Sequence, residues 1–90
     1  MTRLADEILQ PVRDYDERES AELLLSLTVY FRHHGKVRPA AAELYVHEHT
    51  LNYRLRKLEQ ITGRDLRNYR DMFELWLAIE SVASVGKTTR

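Results

Sequence analysis

Apolar positions in this chain recur at three- and four-residue intervals in successive blocks, and no stretch alternates apolar and polar residues long enough to make a half-buried strand. The pattern predicts an all-α fold, a compact domain of four to five helices. A first block, about residues 2–10, sets Leu4, Ile8 and Leu9 on one side. Pro11 has no N–H to donate and ends or kinks that helix, leaving residues 11–16 as a connector. Asp16 followed three residues on by Glu19 reads as a capping box, with Ser20 as a competing cap for a shorter helix. This second helix carries Leu23, Leu24, Leu27, Tyr30 and Phe31, a broad core stripe, and stops near Gly35.

Pro39 suits the first turn of the next helix, where its missing N–H has no intrahelical partner to lose. Thr62-Gly63 closes the helix after that, glycine taking the left-handed cap conformation at little cost. Asn68 is an N-cap candidate for a last helix running to about Ser84. Met72, Leu75, Trp76, Ile79, Val82 and Ala83 lie on one face of it, widened by Phe73 and Leu77, which suggests burial on two sides. Residues 86–90 read as a frayed tail. The whole chain, residues 1–90, reads as one domain with its core in residues 17–84.

Residues 36–62 have a distinctive layout: a helix of small residues, a short break, and a second helix laden with polar and basic side chains. Two helices that cross steeply need small residues where their backbones approach, and Ala40, Ala41 and Ala42 supply them just before Leu44. Val46 plugs the turn. The second helix, about residues 48–61, turns Leu51, Leu55, Leu58 and Ile61 to the core and Asn52, Arg56 and Glu59 elsewhere. This is the layout of a helix-turn-helix, with the motif in residues 39–62 and an outer face shaped to meet a major groove.

A net charge of zero looks unfavourable for a nucleic-acid binder until it is divided along the chain. Residues 1–35 hold four basic and seven acidic side chains, whereas residues 36–70 hold eight basic (Lys36, Arg38, Arg54, Arg56, Lys57, Arg64, Arg67 and Arg70) against four acidic. The positive charge therefore sits on the reading unit. Local potential attracts phosphates across a Debye length of ~8 Å, so this distribution matters more than the total. There is no cysteine, hence no disulfide framework or thiolate metal site, and no apolar run approaches the ~20 residues of a bilayer span. A soluble cytoplasmic protein with no membrane partner is the expectation.

The run VHEHTLNYRLRKLEQITGRDL, with Ala40, Ala41 and Leu44 upstream, resembles the C-terminal helix-turn-helix domain of the PucR/CdaR family of bacterial transcriptional regulators. There the run commonly reads like VHRNTLRYRLRRIEELTGLDL. The match takes in Val46, His47, Thr50, Leu51, Tyr53, Arg54, Leu55, Arg56, Thr62, Gly63, Asp65 and Leu66, while residues 4–16, LLLSLTVYF and LWLAIE fall where the family has its other helices. A more distant similarity to the Fis-type domain rests on the same small-residue helix and TL-x-x-x-L pattern. The resemblance implies sequence-specific binding of double-stranded DNA by a homodimer or higher homo-oligomer. It also implies an effector-sensing domain upstream, outside this chain; an excised domain and a stand-alone short regulator both fit the sequence.

Candidate DNA contacts are Arg38, Glu48, His49, Thr50, Asn52, Tyr53, Arg54, Arg56 and Lys57. Asn52 can bond adenine N6 and N7, and Arg54 or Arg56 can bond guanine O6 and N7 or clamp a phosphate. Lys57 and Arg64 are phosphate neighbours, and Tyr53 can reach a phosphate through its hydroxyl. Three positions depart from the family pattern. Arg38 stands where Ser or Thr is common, and Glu48-His49 replace an Arg-Asn pair, so family base contacts do not transfer there. Glu48 either accepts from cytosine N4 or rewards the positive end of the helix. No cofactor, metal or catalytic group is expected: His47 and His49 diverge by about 200° on a helix, and no nucleophile is set beside a base. The rival reading is a helical protein-interaction or oligomerisation domain using the apolar face of residues 72–83.

Overall fold

The apolar stripe that opens the chain does not stop at Pro11. In the computed structural model, which describes the backbone of residues 2–88 and the side chains of residues 3–82, helix α1 spans Thr2–Glu19 with Pro11 inside it. The connector expected at residues 11–16 is therefore helical. Ala5, Ile8, Leu9 and Val12 are buried and Tyr15 packs on them, a continuous stripe at three- and four-residue spacing. A proline in a helix interior costs ~3 kcal/mol, whereas burying each large aliphatic side chain gains about 1.5–3 kcal/mol, so a stripe that crosses the proline outweighs it. Pro11 and Glu7 are exposed, leaving the unpaired carbonyl on the solvent side. Leu4, expected inward, is 45% exposed, and Ala5 takes the inner position.

Helix α2 spans Leu23–Arg32, and neither cap expected from the sequence starts it. Ser20 adopts a left-handed φ of 51° at the exit from α1, and the N-cap position falls to Glu22, whose side chain makes no capping bond. Asp16 nonetheless caps this helix from a distance. The N–H groups of Leu23 and Leu24 donate to its two carboxylate oxygens at 2.8 and 3.1 Å, which satisfies two donors that no helical carbonyl can reach. Leu23, Ser26, Leu27 and Val29 are buried, with Leu24, Tyr30 and Phe31 packed at the margin. The chain leaves α2 through His34 and Gly35, both at positive φ.

Helix α3 (Val37–Leu44), helix α4 (Glu48–Thr62) and helix α5 (Tyr69–Thr88) complete the order. Ala40 and Ala41 are buried in the α3 contact, whereas Ala42 is exposed and does not take part in the close approach expected of all three alanines. Helix α4 packs against α1, α2 and α3, and α5 packs chiefly along α1. Gly63 closes α4 at φ 69°, its N–H donating to Glu59 O at 2.8 Å. Asn68 Oδ1 accepts from the N–H of Asp71 and begins α5. That helix continues past Ser84 to Thr88, through the first part of the expected frayed tail; Thr89, Arg90 and the side chain of Ala83 lie outside the described residues.

Candidate nucleic-acid interface

The break between α3 and α4 is set by one left-handed residue. Tyr45 takes φ 58° and ends α3, and the N–H of Val46 donates back to Ala41 O at 3.1 Å. Val46 then packs against the core, as its place in the sequence suggests. His47 is extended and serves as the N-cap of α4, its carbonyl accepting from Leu51 N–H at 3.1 Å. Two helices of 8 and 15 residues thus meet across a three-residue turn.

Burial of Leu51, Leu55 and Leu58 fixes the rotation of α4. At 100° per residue, His49, Tyr53, Arg56 and Gln60 are then carried to the opposite face, and all four are exposed. Asn52 and Thr50 are half-buried on the two flanks. Glu48 lies in the first turn, where a carboxylate favours the positive helix end, and Arg38 of α3 approaches it at 3.4 Å. Both side chains remain exposed, so the anion that departs from the family pattern carries its own counter-charge.

Three cations read from the sequence as DNA neighbours turn inward instead. Arg54 donates to Ser26 Oγ at 3.1 Å and lies 3.7 Å from Glu22, with its side chain only 20% exposed. Ser26 is completely buried, so this bond satisfies a hydroxyl that would otherwise lack a partner. Lys57 sets its ammonium 5.7 Å from the Tyr15 ring centroid, on the α1 side. Arg64 bonds Glu74 at 3.0 Å and the carbonyl of Thr62. Arg54 and Lys57 lie on α4 and Arg64 just past its Gly63 cap, and each finds a neighbouring element within reach.

The 64–68 loop places a further cation beside α4. Glu59 accepts from Leu66 N–H at 2.8 Å and Asp71 from Asp65 N–H at 2.9 Å, drawing the loop against α4. Between them opens a groove of about 320 Å³ lined by Asn52, Arg56, Glu59, Arg67, Tyr30 and Val37, among others. Arg67 is 91% exposed at its rim, near Asp65. The sequence counted Arg67 in the basic region without placing it, because its proximity to Arg56 depends on how the loop folds back. The backbone N–H of Arg67, followed by its charge, holds the Asp65 carboxyl below its usual 3.8. Burial, then the Glu59 charge, raises the Tyr30 phenol above its usual 10.0, so the groove wall keeps a neutral hydroxyl. Among the described residues no cluster of three or more His, Cys, Asp or Glu is placed to hold a metal ion.

A short brace helix, a three-residue turn and a longer helix with a polar outer stripe define an all-helical domain of the helix-turn-helix class. The model of the PucR C-terminal helix-turn-helix domain matches residues 23–81, and the chain belongs to that family. It is 40% identical over 62 residues to the proline-responsive transcriptional activator PutR of Bacillus subtilis, covering 69% of this chain and 15% of that protein. To the carbohydrate diacid regulator of Escherichia coli it is 31% identical over 77 residues, covering 84% and 20%. To the purine catabolism regulatory protein of Bacillus subtilis it is 36% identical over 63 residues, covering 70% and 12%. The chain thus spans no more than a fifth of the length of these curated relatives. No solved structure matches at the same stringency.

Proposed function

We propose that this domain binds duplex DNA sequence-specifically, with α4 in the major groove, as the DNA-reading part of a bacterial transcriptional regulator. The observation that carries this reading is the outward stripe of His49, Tyr53 and Arg56, flanked by Asn52, on a helix whose N-terminal end is braced by α3. Asn52 and Arg56 read base edges; Lys36, Arg38 and Arg67 hold phosphates; Tyr53 offers its hydroxyl to the backbone; His49 and Thr50 line the entry to the groove. Glu48, paired with Arg38, orients that arginine and supports the helix end. The domain acts by binding and carries no chemistry, works in the cytoplasm as one unit, and takes its effector response from a region outside this chain. Family membership favours this reading over an interaction domain whose motif is vestigial. Selection of fragments from genomic DNA in about 50 mM salt tests it, since phosphate contacts are strongest there. Recovery of a shared sequence element is expected, and recovery of the input pool unchanged would overturn it.

A further inference from the structure

Burial of Leu75 and Ala78 turns α5 toward α1, which leaves Arg70, Phe73 and Glu80 exposed along its outer side, with half-buried Leu77 at the edge nearest α1. Arg70 and Glu80 are exposed, and neither has an ion-pair partner among the described residues. Phe73 is 55% exposed and stacks on Trp76 with ring centroids 6.2 Å apart; Trp76 is itself 42% exposed. Leu77 shares a crevice with the half-exposed Leu4. Helices α1 to α4 thus leave an apolar strip with a cation at one end and an anion at the other.

The spacing of the four residues, three then four then three, is that of a heptad seam. It is also self-complementary. When two such helices run antiparallel about a two-fold axis at Leu75, Arg70 meets Glu80 of the other copy and Phe73 meets its Leu77. Both outer layers then pair opposite charges and both inner layers pair apolar side chains. A parallel arrangement would set Arg70 against Arg70 and Glu80 against Glu80, so charge selects the antiparallel orientation.

We propose that the occupant of this strip is a second copy of the chain, joined through antiparallel α5 helices in that register, with Trp76 and Leu4 widening the seam. Four layers of one helix pair bury less than the ~1,200–2,000 Å² of a standard interface, so association is weak and reversible. Sedimentation equilibrium of the 90-residue chain at low salt, up to about 500 μM, reads it, with circular dichroism to establish that each variant is folded. The wild type is expected to dimerise. Arg70→Glu or Glu80→Arg alone places like charges in both outer layers and should weaken the dimer roughly tenfold or more, and the double variant should return to within about threefold of wild type. A wild type that stays monomeric throughout would overturn the proposal and assign the strip to another part of a longer regulator. Single reversals that associate like the wild type, or a double variant as weak as the singles, would overturn this register.

Discussion

Arg54 and Arg56 stand two residues apart on one helix and face nearly opposite ways. Arg54→Ala leaves the buried Ser26 hydroxyl without its partner and should destabilise the fold by about 1–3 kcal/mol in chemical denaturation. Arg56→Ala, at an exposed position, should change stability by less than about 0.5 kcal/mol while weakening DNA binding. Reversal of that order would place Arg54 at the DNA. Asn52→Ala should lose about 1–3 kcal/mol on the preferred site and flatten preference at one or two base pairs, whereas Arg67→Ala should weaken all sequences alike. Anisotropy titrations on specific and random duplexes separate the two, and equal losses on both duplexes for Asn52→Ala would remove it from base readout.

Between elements, two carboxylates join helices that the sequence leaves unconnected. Asp16 belongs to α1 but caps α2, so Asp16→Ala should cost about 0.5–2 kcal/mol, the range for losing a cap. Asp16→Asn, which keeps one acceptor oxygen, should recover part of it. Glu43 of α3 ties that helix to the end of α2 through His33 at 2.7 Å and through Arg32. The His33 hydrogen bond, ahead of the Arg32 charge, holds the Glu43 carboxyl below its ordinary 4.5 against a smaller opposing effect of burial. A carboxylate depressed in the folded state adds stability above its unfolded value and loses it as pH falls through the folded one. The melting temperature of the wild type should therefore exceed that of Glu43→Gln near neutrality, with the gap closing below about pH 4.5. A gap independent of pH would show that the carboxylate charge contributes nothing.

Over the whole molecule, whose Cα extents are 34 × 29 × 26 Å, the inward turn of Arg54, Lys57 and Arg64, with Arg70 set apart on α5, leaves Lys36, Arg38, Arg56 and Arg67 as the cations of the 36–70 region that we propose hold phosphates. Four contacts per protomer predict a slope of log K against log salt of roughly −3 to −4. Binding measured across a range of salt concentrations checks this. A slope near −6 per protomer would mean that the three inward cations swing out on binding. Zero net charge is no obstacle to such a surface, because acidic side chains outnumber basic ones in the first 35 residues while Arg56 and Arg67 line the groove beside α4.

Hydrophobic spacing determined the helical class and the inner faces of α2 and α4, and single residues marked the turn around Val46 and the Gly63 and Asn68 boundaries. Each depends on residues within a turn or two of one another, and a helix imposes its period whatever packs against it. Tertiary structure decided the rest. Pro11 reads locally as a stop, and only the burial of Ala5, Ile8, Leu9 and Val12 on both sides of it carries α1 through. Asp16 was recognisable as a cap, but which N–H groups it serves depends on where α2 begins in space. The candidate interface divides in the same way. His49, Asn52, Tyr53 and Arg56 follow from the rotation that the α4 leucines impose. The directions of Arg54, Lys57 and Arg64 are chosen by Ser26, Tyr15 and Glu74, which are distant in sequence, and the position of Arg67 by the loop that Glu59 and Asp71 hold. Long flexible cations at the edge of a buried stripe reach either solvent or a neighbour, and only the packed fold supplies the neighbour.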